Sequence, residues 1–79
     1  MDFTTFSLYN IDMEIFGKRL RELRESEGLS AKALGERINV SDMAIINWEN
    51  NVHDIKGEYL VKLAEYFHVT TDYLLGLDN

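Results

Sequence analysis

The sequence predicts an all-α bundle of five short helices in a single domain. Its 79 residues leave room for one small core, and 46% of them are hydrophobic against 28% charged, which is an ordinary globular balance. Apolar residues recur at the three- and four-residue spacing of a helix, and capping residues and glycines separate these segments. The chain has no proline and no convincing pair of strands. These observations favour helices packed on helices.

The first helix is predicted to begin at Asp12 and to end at Gly28. Asp is a favoured N-cap, and Gly commonly follows the last residue of a helix because it adopts the left-handed conformation without strain. Between them lies an apolar stripe of Phe16, Leu20 and Leu23. Residues 1–11 hold too many large apolar side chains for a solvated tail. We expect this N-terminal apolar arm to pack on its own domain or on a partner subunit.

Ser30 is the predicted N-cap of a second helix, which runs to about Ile38. Gly35 lies inside this helix, where glycine costs about 0.5–1 kcal/mol relative to alanine, so it indicates the close approach of a neighbouring helix. A turn follows, because Asn39 tolerates the left-handed conformation and Ser41 is a favoured N-cap for the next helix.

The third helix is predicted over residues 42–50, with an outer face that is unusually apolar. A fourth helix covers about residues 57–68, and a last helical turn follows Thr70 and ends at Gly76. Apolar residues at helical spacing predict the core, which comprises Phe16, Leu20, Leu23, Leu34, Ile38, Ile45, Trp48, Leu60, Leu63 and Phe67.

Several classes of function are excluded or disfavoured. The chain has no cysteine, which excludes disulfides and thiolate zinc sites, and His53 and His68 have no metal-ligand spacing. No apolar run approaches the roughly eighteen residues that cross a bilayer, and the first residues do not resemble a signal peptide. No nucleophile–base pair or glycine-rich phosphate loop is present. We expect a cytoplasmic protein that is not an enzyme and that uses no cofactor, metal or small-molecule substrate.

A helix, a three-residue turn and a second amphipathic helix form the geometry that places a recognition helix in the major groove of DNA. The chain resembles the lambda-repressor/Cro-like helix-turn-helix family, also called the xenobiotic-response-element family, over about residues 14–76. The resemblance is carried by RLRELRESEGLS, by the Val-Ser and Trp-Glu-Asn pieces of residues 40–50, and by the ending LAEYFHVTTDYLLG. It implies a five-helix DNA-binding domain within residues 12–79, typically a dimeric transcriptional regulator of the repressor type from bacteria or phages.

The resemblance also implies which residues face DNA. Ser41 would cap the recognition helix near a phosphate, and Asn50 would approach the DNA backbone at its end. From their place in the motif, Lys32 and Arg37 are further candidates for phosphate contacts. The base-facing positions would be held by Asp42, Met43, Ala44, Ile46 and Asn47.

The chemistry of these side chains limits what they can read. Asn47 is the best single reader, because its amide can both donate to and accept from adenine. Met43, Ala44 and Ile46 can contact only thymine methyl groups. Asp42 could accept a hydrogen bond from a cytosine amino group, but its charge repels phosphate.

The charge of the chain supports a second hypothesis. Fourteen acids against eight bases give a formal charge of −6, which argues against broad attraction to phosphates. Ala31 lies where the family usually has a phosphate-binding Gln. The basic residues of 18–24 alternate with acidic residues, which favours a solvated helix surface with salt bridges over a surface that binds phosphates. The scaffold could therefore serve as a protein-interaction module, an antirepressor or immunity partner. Met43, Ile46 and the N-terminal arm would then bind a protein partner instead of double-stranded DNA.

Overall fold

Five α-helices follow one another along the chain in the computed structural model, which describes residues 3–78, and the side chains of residues 14–78. They are α1 (Phe3–Ser26), α2 (Ala31–Ile38), α3 (Asp42–Glu49), α4 (Gly57–Phe67) and α5 (Thr71–Leu75). No strand occurs in the described range, so the all-α prediction is confirmed. None of the helices searched in this range has the length and apolar character needed to cross a membrane.

Capping residues that the sequence indicates set the start of α2, α3 and α5. The side chains of Ser30, Ser41 and Thr70 accept hydrogen bonds from the backbone N–H three residues on, at 3.0, 3.1 and 2.9 Å. Asn39 ends α2 in the left-handed conformation, with φ 64°. His68 closes α4 in the same way at φ 58°, although the sequence pattern includes it in the helix. These local bonds satisfy backbone groups that each helix end leaves without a partner.

The first helix begins at Phe3 rather than at Asp12. No glycine or proline lies between residues 3 and 16, so nothing in the sequence stops the helix from extending towards the N-terminus. Asp12 is therefore inside α1 and not at its cap. The prediction that the arm of residues 1–11 packs on the domain or on a partner concerns side chains that lie outside the described residues.

The core lies between the five helices, where α1 packs on α3 and α5, α2 packs on α3 and α4, and α4 packs on α5. Of the predicted core residues, Leu23 and Leu60 are only partly buried and pack against it. The sequence pattern missed Leu74, which is fully buried and anchors α5. The buried hydrophobic residues are Phe16, Leu20, Leu34, Ile38, Ile45, Trp48, Leu63, Ala64, Phe67 and Leu74.

Two glycines allow the close packing that orients α3. A Cβ atom on Gly35 would lie 2.6 Å from the carbonyl oxygen of Val40, so the expected close approach is made by the turn after α2 and not by a helix. A Cβ atom on Gly17 would lie 2.6 Å from the carbonyl oxygen of Glu49. Backbone atoms at both ends of α3 therefore touch neighbouring segments where only glycine fits.

Candidate nucleic-acid interface

The third helix has one face in the core and one face towards solvent. Ile45 and Trp48 are buried, as predicted. Asp42 is exposed, and Met43 is 54% exposed, which is high for a large apolar side chain. Ile46 and Asn47 are half-buried. Asp42, Met43, Ile46 and Asn47 form the proposed base-facing surface, which we call the reading face.

Ala44 and Asn50 lie at the margins of the reading face. Ala44 is half-buried and packs partly against the core, so only part of its methyl group can contact a ligand. Asn50 is exposed at the C-terminal end of α3, where its backbone N–H donates to the carbonyl oxygen of Ile46 at 3.0 Å. Asn50 thus lies at the end of the helix, where the resemblance places it.

The N-terminal end of α3 carries two hydrogen bonds from its own side chains. Ser41 Oγ accepts from the N–H of Ala44 at 3.1 Å, and Asp42 Oδ1 accepts from the N–H of Met43 at 2.9 Å. An anionic side chain is stabilised at this position by the positive end of the helix dipole. The N–H groups of Met43 and Ala44 are therefore occupied by side chains of the chain itself.

A shallow depression runs beside this end of α3, between the outer side of α2 and the turn. It is lined by Lys32, Glu36, Val40, Ser41 and Asp42. Lys32 is exposed and is the only base in this lining, where it stands beside two carboxylates. The structure thus brings Lys32, Ser41 and Asp42 together, in surroundings where acidic residues outnumber basic ones.

Arg37 lies on a different surface from the other candidate residues. Its Nη1 atom donates to the Tyr66 hydroxyl at 2.6 Å, and its guanidinium carbon is 6.0 Å from the centre of that ring. It lines a groove between the end of α2 and the outer side of α4, together with Lys62 and Glu65. The structure does not bring Arg37 together with Lys32 and the reading face.

Glu49 positions the far end of α3, and the sequence pattern did not indicate this role. Its side chain is 1% exposed. Its two carboxylate oxygens accept from Arg24 Nε and Nη2 at 2.6 and 2.9 Å, and Arg21 Nε adds a bond of 3.3 Å. The bond to Glu49 raises the pKa of Arg24, although burial acts in the opposite direction. Glu49 follows Ile45 by four residues, so it lies on the buried face of the helix. This spacing could have predicted the burial of Glu49 from the sequence.

The three arginines of α1, Arg19, Arg21 and Arg24, form ion pairs with residues outside α1 and not with the acids of α1 that the sequence favoured. Arg19 Nη1 donates to Asp78 Oδ1 at 2.8 Å and also to the backbone carbonyl of Tyr73. The guanidinium carbon lies 4.3 Å from the centre of the Tyr73 ring. The hydrogen bond from Arg19 lowers the pKa of the Asp78 carboxyl below its ordinary value. Arg19 thus fastens α5 and the residues after it to α1.

Comparisons with known proteins match this arrangement. A helix-turn-helix family model matches residues 20–74, which is more than half of the chain. The HTH-type transcriptional regulator ImmR of Bacillus subtilis (strain 168) is 39% identical over 63 residues, covering 80% of this chain and 50% of ImmR. Repressor protein C2 of Salmonella phage P22 is 32% identical over 68 residues, covering 86% of this chain and 32% of the repressor. The chain therefore spans about half the length of the first relative and about a third of the second.

A solved structure shares the fold. The crystal structure of the P22 c2 repressor protein in complex with synthetic operator 9T, in the presence of Tl+, superimposes with a TM-score of 0.76 and 34% sequence identity. The match covers 81% of this chain and 97% of that chain.

Proposed function

Since the chain belongs to the helix-turn-helix family of the lambda-repressor/Cro type, we propose that it is a sequence-specific DNA-binding transcriptional regulator, acting as a repressor. In this proposal α3 enters the major groove of double-stranded DNA. The observation that carries it is the likeness of the helical domain to a repressor solved on an operator. No catalytic step is part of the proposal, and the protein would act in the cytoplasm on the DNA that it regulates.

The proposed contacts follow from the chemistry of the reading face. Asn47 pairs with adenine through its amide, which can donate and accept, and Met43 and Ile46 contact thymine methyl groups. Lys32 and the Ser41 hydroxyl contact phosphates, since they lie beside the N-terminal end of α3. Asn50 contacts the DNA backbone at the other end. Arg37 is not part of the proposed interface, because its guanidinium lies against Tyr66.

We further propose that the regulator binds as a homodimer. One chain presents one recognition helix, and a helix of eight residues covers only a half-site. Two such helices about 34 Å apart would contact half-sites separated by one turn of DNA. A symmetric dimer then predicts a pseudo-palindromic operator.

The alternative, a protein-interaction module that does not bind DNA, is not favoured. The relatives are described as a transcriptional regulator and a repressor, and the matching structure is a complex with DNA. Residues 40–58 hold four acids, Asp42, Glu49, Asp54 and Glu58, against the single basic residue Lys56, and this negative charge would favour the alternative. Part of that charge, Glu49, is buried and neutralised by Arg24 and so does not face a ligand.

The first test is selection from a random duplex library with the purified chain at near-physiological salt, with light scattering on the same sample. We expect a dimer to enrich a pseudo-palindromic site. A folded sample that enriches no sequence would overturn the proposal.

Replacing the proposed adenine reader tests the interface directly. We expect Asn47→Ala to weaken binding to the selected site by about 1–3 kcal/mol, because two hydrogen bonds to a base are lost. Fluorescence anisotropy with the selected duplex measures this loss, and a scrambled duplex is the control, on which wild type and variant should agree. Equal affinity of wild type and Asn47→Ala for the selected site would show that Asn47 does not contact the DNA.

A further inference from the structure

Asp42 places a fixed negative charge at the leading end of the reading face. The side chain is exposed, and Oδ1 is held by the N–H of Met43 at 2.9 Å. Among the side chains of residues 14–78, none bonds to the second oxygen, Oδ2. Lys32 lines the same depression but makes no ion pair with Asp42. The carboxylate is therefore oriented by the backbone while keeping an acceptor available for a ligand.

A carboxylate can only accept hydrogen bonds, and this limits which bases it tolerates. In the major groove cytosine and adenine each present an amino donor, whereas guanine presents only acceptors and thymine presents an acceptor and a methyl group. Against an acceptor, the carboxylate would lose its hydration without gaining a hydrogen bond and would also be repelled. Discrimination would thus come from a penalty on the wrong base as well as from a bond to the right one.

The rest of α3 offers no way to offset that penalty. The helix sequence DMAIINWE contains no basic residue. The commonest contact to guanine, which Arg or Lys makes, is therefore missing from α3. Glu36 adds a second carboxylate to the depression beside Asp42. No nearby positive charge outweighs these two acids in the lining of that depression.

We propose that Asp42 is a specificity-determining residue. It requires cytosine or adenine at one position of the contacted strand in each half-site and rejects guanine and thymine there. The inference rests on the DNA-binding function proposed above and names the class of operator that this function would use. The other reading-face residues, Met43, Ile46 and Asn47, would confine their contacts to A·T pairs.

Parallel selections test this proposal with wild type, Asp42→Asn and Glu36→Gln. Wild type should favour cytosine or adenine over guanine and thymine at one half-site position by roughly tenfold or more. An amide donates as well as accepts, so Asp42→Asn should lose most of that preference while its oxygen can still accept from Met43 N–H. Glu36→Gln removes the same charge from the same depression. It should raise affinity for all sequences alike and keep the preference.

The outcomes separate this proposal from the function on which it rests. If wild type selects a site and Asp42→Asn keeps the same preference at every position, the role of Asp42 is overturned and DNA binding stands. If Glu36→Gln loses the preference in the same way as Asp42→Asn, the role of Asp42 is also overturned, because removal of either negative charge would then explain the loss. A wild-type chain that selects no site overturns the function and this proposal together. Thermal unfolding of both variants verifies that each is folded.

Discussion

Glu49 illustrates how a single buried charge fixes the end of α3. Removing a carboxylate from water costs several kcal/mol of free energy, and only well-placed hydrogen-bond and charge partners offset that cost. Arg24 supplies two bonds from one rigid guanidinium and also donates to the carbonyl oxygen of Leu29 at 2.8 Å. The group thereby ties α3 to α1 and to the loop that precedes α2.

Removing Arg24 should therefore destabilise the fold strongly. We expect Arg24→Ala to lower the free energy of unfolding by about 3–5 kcal/mol, because it leaves the Glu49 carboxylate buried without its main partner. The control is Arg21→Ala, since Arg21 is 53% exposed and makes one bond of 3.3 Å. It should cost about 1 kcal/mol or less. Urea unfolding followed by Trp48 fluorescence measures both, and equal losses would contradict the assignment.

At the scale of elements, the angle between α2 and α3 depends on the absence of a side chain at Gly35. The turn carbonyl of Val40 occupies the space that a Cβ atom would need. Because that neighbour is backbone, it cannot rotate away as the end of a flexible side chain would. If a residue with a side chain replaces Gly35, the turn and both helices must shift together.

We expect Gly35→Ala to destabilise the domain by about 1–3 kcal/mol, the usual range for overpacking. Gly57 provides a matched control at the start of α4, because nothing lies within 4 Å of the Cβ position there. Gly57→Ala should be neutral or stabilise by up to about 1 kcal/mol, since alanine restricts the unfolded chain. Thermal unfolding compares the two variants. A Gly35→Ala protein as stable as Gly57→Ala would show that the turn adapts without cost.

The elements that the sequence predicted well are those with local signals. Ser30, Ser41 and Thr70 each cap their helix through a bond within three residues, so sequence alone locates the start of α2, α3 and α5. Asp12, the predicted cap of α1, lies inside that helix, which begins at Phe3. The contacts of Leu74, Glu49 and Arg19 join segments far apart in sequence, and a local pattern does not contain them.

The same distinction applies to the candidate interface. Helical spacing alone separates the buried Ile45 and Trp48 from the exposed Met43. The position of Arg37 could not be predicted, because it depends on how α4 packs beside α2 and brings Tyr66 to the guanidinium. Which of these side chains touch DNA remains a prediction.

The charge of the whole molecule sets how it should respond to salt. With eight bases against fourteen acids, and with Arg19 and Arg24 engaged in ion pairs, few cations remain to displace counterions from DNA. We expect weak non-specific binding and a shallow dependence of affinity on salt. Selectivity then depends on the reading face and on dimer geometry rather than on general attraction.

Lys32 is the basic residue whose removal should change the dependence of DNA affinity on salt. Lys32→Ala should weaken binding to all sequences similarly and reduce the slope of log affinity against log salt by about one. Lys18→Ala removes another exposed cation that does not line the depression beside α3, and it should leave the slope almost unchanged. Anisotropy titrations at several salt concentrations give both slopes. Identical slopes for wild type and Lys32→Ala would exclude Lys32 as a phosphate contact.

The division of α3 into two faces has a consequence for how such a protein can evolve. Its attachment to the domain depends on Ile45, Trp48 and Glu49, whereas Asp42 and Met43 contribute little to the core. Exposed substitutions generally change stability by less than about 0.5 kcal/mol. Under the proposed function, a descendant could therefore change the operator that it selects through substitutions at Asp42 and Met43 while every intermediate sequence remains folded.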